Sequence, residues 1–456
     1  MKTLRDKTAT REWRVARAPG ALPLLGNALS MGRDPVRFLS SLPRHGDLVE
    51  LRIGGKRTFL PCHPELIQQV LLNARVFDTG GPMKEKARPI LGNGLITSDW
   101  ADHKRQRRLV QPAFHPARIA TYAHVMQEEV EAQAGTWTAG QVVDVNEVTQ
   151  ALTARITARA LFALDIAPHA VAVIQHCLPV IVRGAYRNAV DPTGLLGKLP
   201  TPANREFARA LEQMHELIDG IVEDYRTSDR DRGDLVSALL AAEDPESGEK
   251  LSDQEVHDQV MTLLLAGIET TASALTWALH LLAQNPEAES RLHAELDHVL
   301  GGPGERFPEF KDIPELRYTQ RVFTETLRLY PPAWIYTRTT TTATELGGVP
   351  LMPGDDIIIS PYVVHRIPGL FPRPEHFDPD RWLPDRAKDV ARGAYVPFGA
   401  GSRKCIGDVF GITEATLALA AIASKWRLRP VPGTRVKPRP HMSLSTGPLP
   451  MRVEPR

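Results

Sequence analysis

Residues 398–407 read Phe-Gly-Ala-Gly-Ser-Arg-Lys-Cys-Ile-Gly. Two glycines and Ala400 favour a tight loop, and the apolar spacing from Ile406 to Ala423 predicts a helix directly behind it. Cys405 would then stand at a helix N-terminus with Arg403 and Lys404 beside it, and both effects favour thiolate over thiol. A soft sulfur on a rigid loop suits a single transition-metal ion. Two other uses stay open on the residues alone: an ordinary half-buried thiol or a nucleophile that needs a histidine base. Zinc is disfavoured, because no second cysteine or histidine lies nearby at ligand spacing.

A second grouping is Gly267, Glu269, Thr270 and Thr271 in an otherwise apolar run. Ser252-Asp253-Gln254-Glu255 forms a capping box, and helical periodicity continues to Asn285-Pro286. A helix of that length spans roughly 50 Å. From Met261 to Ile268 it is apolar on every face, which predicts burial. The bland reading of the polar residues is a hydrogen-bonded cluster with threonine bonding back to the previous turn. The functional reading is a helix passing close to a flat ligand, with Gly267 allowing approach and Glu269 with Thr270 relaying protons. A third grouping is Glu325 and Arg328, three apart on a helix predicted over Pro314–Tyr330. The loop Phe377–Trp382 can bring Arg381 to the same glutamate. A buried Glu-Arg-Arg cluster would be structural, and loss of one member would cost roughly 3–5 kcal/mol.

These groups need a scaffold, and the chain can supply one. It has 456 residues, 42% hydrophobic and 24% charged, which is ordinary globular composition with ample material for a core. The net charge of +1 gives no global attraction to nucleic acid or anionic lipid. Three cysteines, Cys62, Cys177 and Cys405, argue against a disulfide framework and for a reducing compartment. The charged start MKTLRDKTATREW has no apolar leader, and no later run reaches the ~18 unbroken apolar residues of a spanning segment. The expectation is a soluble, cytoplasmic protein without a membrane anchor. Helices are predicted over 116–133, 147–164 and 203–225. Strands are predicted around 49–60 and 345–360, and the proline-rich stretch 165–202 reads as short pieces of a cover. The fold class is mainly α with a small β region, one domain over 1–456 behind a proline-punctuated lead-in over 1–30.

Taken in order and spacing, the four blocks resemble the cytochrome P450 family. Phe398, Gly401, Arg403, Cys405 and Gly407 are similar to its haem-binding signature, and Glu325-Thr-Leu-Arg328 to its ExxR helix. Phe377–Trp382 resembles its PERF-type loop, and Ala266-Gly267-Ile268-Glu269-Thr270-Thr271 its oxygen-activation motif. The resemblance covers nearly the whole chain; Ala400 stands where relatives often carry glycine.

The resemblance implies a P450 fold around a buried haem b, with Cys405 as the axial thiolate. It implies that Arg403, Arg338, His103 and Arg107 reach the haem propionates, with Trp100 a weaker candidate. Ala266, Gly267, Phe398 and Gly407 would lie against the cofactor, and Glu269 with Thr270 would deliver protons. The activity implied is insertion of one atom of O2 into a C–H bond, with NAD(P)H electrons passed through a separate ferredoxin and ferredoxin reductase. Ala266, Ala333, Trp334 and Ile335, with residues 79–96 and 446–449, would wall an apolar pocket. Its substrate would be a terpenoid or another secondary metabolite. A fatty acid anchored by Lys84, Lys86 or Arg88, and peroxide-dependent oxidation, are the enzymatic alternatives. A non-catalytic haem-thiolate sensor or carrier is the alternative of another class.

Overall fold

The computed structural model describes residues 11–162, 167–191, 197, 199–228 and 232–456. The first ten residues, and part of the proline-rich 165–202 stretch, lie outside them. The capping box forms as the sequence reads: the Glu255 amide donates to Ser252 Oγ at 3.2 Å and the Ser252 amide to Glu255 Oε2 at 2.9 Å. It opens a central helix over Asp253–Gln284, 32 residues long. By length and apolarity alone this helix could cross a membrane, but most of it is packed inside the protein.

Its closest partner is the helix Val145–Leu161, which presents Thr149, Thr153 and Thr157 at a spacing of four, all on one face. Thr149 meets Thr276 hydroxyl to hydroxyl at 2.7 Å, and Thr153 donates to the Ile268 carbonyl at 3.1 Å. Small polar side chains let the two backbones approach; of the three threonines on this face, only Thr157 has a buried hydroxyl without a partner among the described residues. The C-terminal helix Asp408–Lys425 packs on the other side. There an added Cβ on Gly411 would sit 3.6 Å from Thr271 Oγ1.

Strands from both ends of the chain build one six-stranded sheet. Its order is Val15–Arg17, Leu48–Ile53, Lys56–Pro61, Asp356–Ile359, Tyr336–Thr340, Phe77–Thr79. The hairpin 48–61 turns on Gly54, whose φ of +61° suits glycine, and pairs Val49 with Leu60. Thr79 and Ile357 flank Arg338 on either side. A short hairpin, Arg439–Pro440 with Leu444–Ser445, lies against the central helix. Its Leu444 carbonyl accepts from Ser273 Oγ and Trp277 Nε1, both at 2.7 Å.

Several expectations change here. Residues 167–190 form one helix that carries Pro179 within it, not short pieces. The helix expected from Pro314 begins at Arg317, because Pro314 closes a 3₁₀ turn and Leu316 (ψ 51°) leaves helical geometry. The helix expected from Ile406 begins at Asp408. The presumed loop 79–96 contains a helix over Pro82–Leu91. Short strands at 142–144, 426–430 and 450–455, not among the expected strands, pair into a second sheet.

Candidate cofactor and active site

The cysteine loop is closed by its own backbone. The Cys405 amide donates to the Phe398 carbonyl at 2.9 Å and the Lys404 amide to the Gly401 carbonyl at 3.1 Å. Gly399 and Gly401 both have φ of +69°, and a side chain on Gly401 would strike the Leu71 carbonyl. Cys405 itself has accessible surface, yet protein surrounds its thiol. Burial pushes the thiol up, outweighing the Gly407 amide and the Arg107 and Lys404 charges that pull it down. This corrects the expectation that thiolate is favoured in the bare protein. The cations that act on the sulfur are Arg107 and Lys404, not Arg403.

Arg403 instead pairs with Asp78 and donates to the Ser98 carbonyl at 3.0 Å. Its side chain is only 3% exposed, and its Nε and Nη1 have no partner. Arg338 is buried in the six-stranded sheet, donates to its neighbour's carbonyl at 2.9 Å, and pairs with no carboxylate among the described residues. Burial holds its pKa down to about 10. Arg107 donates to the Lys404 carbonyl, which ties the helix Trp100–Val110 to the cysteine loop. His103 lies on the same helix, held down to about 3 first by burial and then by Arg403, Arg107 and Arg338. Three cations and a neutral imidazole thus converge, with Asp78 the one carboxylate hydrogen-bonded to any of them. Buried guanidinium N–H groups without acceptors are costly. Their chemistry fits a flat cofactor that brings carboxylates of its own. The Trp100 indole does not join them; Arg75 lies over its ring at 5.8 Å.

In the central helix, Leu263, Leu265, Ala266, Gly267, Glu269 and Thr270 are partly accessible while Met261, Thr262, Leu264, Ile268 and Thr271 are buried. Gly267 was expected to admit a flat ligand; a Cβ added there would meet Thr157 of the neighbouring helix at 3.4 Å, an ordinary van der Waals distance. Thr270 Oγ1 donates back to the Ala266 carbonyl at 2.6 Å. Glu269 turns toward the 439–445 hairpin, where Ser443 donates to its Oε1 from Oγ at 2.8 Å and from the amide at 3.3 Å. The acid and the alcohol are not hydrogen-bonded to each other. Burial raises the Glu269 carboxyl against the lowering effect of both Ser443 bonds.

Burial divides the proposed pocket wall, which precedes the strand Tyr336–Thr340. Ala333 and Ile335 stay partly accessible. Trp334 points into packed core and donates Nε1 to the His441 carbonyl at 3.1 Å, so it is not a pocket residue. The basic residues near the pocket are engaged. Lys84 pairs with Asp99, Lys86 donates to the Ala189 and Asp191 carbonyls, and Arg88 donates to Asn93. A surface cleft of about 650 Å³ near Arg37, Tyr362 and Arg366 contains none of the candidate residues.

The Glu-Arg-Arg cluster forms with more members than the sequence suggests. Glu325 accepts two bonds of 2.8 Å from Arg328, one of 3.4 Å from Arg381, one of 2.9 Å from Trp382 Nε1 and one of 3.1 Å from the Asp378 amide. Arg328 also donates to the carbonyls of His365, Pro374 and His376. His365 accepts from the Val396 amide at Nε2, which leaves Nδ1–H to donate to the Arg328 carbonyl. Trp382 was visible in the loop motif as an aromatic, though not as a donor. Asp78, His365 and Ser443 carry no spacing signal.

The cytochrome P450 family model matches residues 17–455. The chain belongs to the cytochrome P450 family: it is a P450 monooxygenase with haem iron as cofactor, and its electrons come through redox partners. It is 68% identical to cyclooctatin synthase of Streptomyces melanosporofaciens over 99% of this chain and 98% of that one. It is 50% identical to cyclooctat-9-en-7-ol 5-monooxygenase of the same organism, over 98% and 96%. It is 45% identical to pentalenene oxygenase of Streptomyces avermitilis, over 92% and 93%. The crystal structure of the cytochrome P450DA heme domain superposes with a TM-score of 0.86 at 28% identity, covering 98% of this chain and 99% of that one.

Proposed function

We propose that this protein hydroxylates a terpenoid, with Cys405 as the axial ligand of haem b and a ferredoxin with its reductase as the electron source. The carrying observation is the convergence of Arg403, Arg338, Arg107 and His103 beside the cysteine loop, with Arg403 Nε and Nη1 buried and without acceptors among the described residues. Bound at Cys405, haem supplies O2 activation and the transfer of one oxygen atom. Arg403 and Arg338 would hold its carboxylates, and neutral His103 would add a hydrogen bond without charge. Arg107 steadies the cysteine loop. The Gly407 amide and the Arg107 and Lys404 charges offset part of the cost of carrying a buried thiolate.

On the substrate side, Leu263, Ala266, Ala333 and Ile335 offer apolar surface. Thr270 presents a hydroxyl whose proton is committed to Ala266, leaving its oxygen free to accept a bond. Glu269 can hold and release a proton there because burial raises its carboxyl. The engaged state of Lys84, Lys86 and Arg88 argues against a fatty-acid carboxylate as the recognised group. The names of the relatives point to terpenoid substrates.

The test is a titration of ferric holoenzyme with pentalenene, cyclooctat-9-en-7-ol and palmitic acid, read as the low- to high-spin shift. Products are then analysed with a surrogate ferredoxin system. A shift and a product one oxygen heavier with a terpenoid are expected. A response to palmitic acid alone would overturn the substrate class, and a shift without product would favour a sensor.

A further inference from the structure

Glu269 reaches away from Thr270 toward a hairpin that no catalytic assignment covers. Ser443 is 2% exposed and meets Glu269 Oε1 with two donors, Oγ at 2.8 Å and its amide at 3.3 Å. The hairpin cannot follow a moving carboxyl. The Leu444 carbonyl is held by Ser273 and Trp277 of the central helix itself. The Leu444 amide donates to the Pro332 carbonyl at 3.0 Å, and the His441 carbonyl accepts from Trp334. Ser443 is thereby fixed relative to the helix that carries Glu269, and a rotation of the Glu269 side chain must break both bonds.

We propose that Ser443 is a positioning residue for Glu269: its hydroxyl and amide hold the carboxyl away from Thr270, and release from Ser443 is the first event of proton delivery. This rests on the reading of Glu269 as the proton-delivery acid. Donors to a carboxylate favour its ionised form. While docked, the acid is therefore easier to ionise than burial alone would leave it, and once released it favours the protonated form from which a proton can be given.

The experiment uses the ferric holoenzyme and two readouts. The first is the pH midpoint of the Glu269 carboxyl stretch in the infrared, assigned by its loss in Glu269→Gln. The second is hydrogen peroxide formed per NAD(P)H with a surrogate ferredoxin system and no substrate added. Ser443→Ala should raise the midpoint by roughly one unit, since the stronger of two donors is lost. It should also change the peroxide ratio at least about two-fold (a shift of that midpoint by one unit allows up to about ten-fold). Ser443→Thr, which keeps the hydroxyl, should restore both. A midpoint and ratio in Ser443→Ala equal to the parent would overturn the proposal, as would failure of Ser443→Thr to restore them in a haem-loaded protein. If Glu269→Gln leaves the peroxide ratio unchanged while Ser443→Ala moves the midpoint, the Glu269 reading itself fails and takes the proposed release step with it.

Discussion

Cys405 holds a thiol that burial pushes up while Arg107, Lys404 and the Gly407 amide pull it down. Ligation of iron would favour the thiolate form. Sequence reasoning found the cysteine because glycine, cation and sulfur are adjacent along the chain. It misjudged the thiol because desolvation belongs to the fold. The same holds for Arg403, whose neighbour in sequence is the loop but whose partner in space is Asp78. At this scale Thr270→Ala should release a larger share of NAD(P)H electrons as peroxide, by at least several-fold, measured as product per NAD(P)H. Unchanged coupling would remove Thr270 from proton delivery. Glu325→Ala strips a fully buried Arg328 of its carboxylate. It should cost roughly 3–5 kcal/mol, seen as a lower urea midpoint and poor haem retention.

The elements decide how closely these side chains can be brought together, and two glycines separate the cases. Gly401 has a positive φ and no room beside Leu71, so Gly401→Ala should distort the cysteine loop and sharply reduce haem content. Gly267 has an ordinary helical backbone and a neighbour at 3.4 Å. Alanine there gains up to about 1 kcal/mol of helix propensity and meets Thr157 at contact distance. Gly267→Ala should therefore leave haem content at the parent level and stability within about 1 kcal/mol. A loss of haem in Gly267→Ala would restore the reading of Gly267 as a cofactor-approach position. The long helices were legible because a 3.6-residue apolar period and the Ser252 capping box are local signals. The strand Tyr336–Thr340 was not, because its buried positions carry Arg338 and Thr340 and no apolar residue. Pro179 misled for a similar reason: tertiary packing of Ile174, Cys177 and Ile181, all fully buried, overrides a local breaker.

Over the whole molecule, the family blocks are spread over residues 266–407, on the central helix, a second helix and two loops. Their order was readable in the sequence; the Glu269–Ser443 bond and the Arg403–Asp78 pair were not, since neither has a fixed spacing. The fold also buries neutral histidines. His365 and His103 are held down to about 3 and His293 to about 4, each first by burial. A depressed folded-state pKa means the unfolded chain binds protons first as pH falls below 6.5. Stability is therefore full above that value and declines toward pH 4, by up to about 1.4 kcal/mol per unit for each histidine. Urea midpoints at pH 7 and pH 5 should show the decline, and His293→Gln should shallow it. Equal midpoints would contradict the buried-neutral assignment. The measurement that bears most directly on the central claim is the absorption spectrum of the dithionite-reduced protein under carbon monoxide. A strongly red-shifted Soret band, lost in Cys405→Ala, is the result expected of thiolate-ligated haem. A Soret position typical of histidine ligation in the parent protein, or no bound haem, would contradict it.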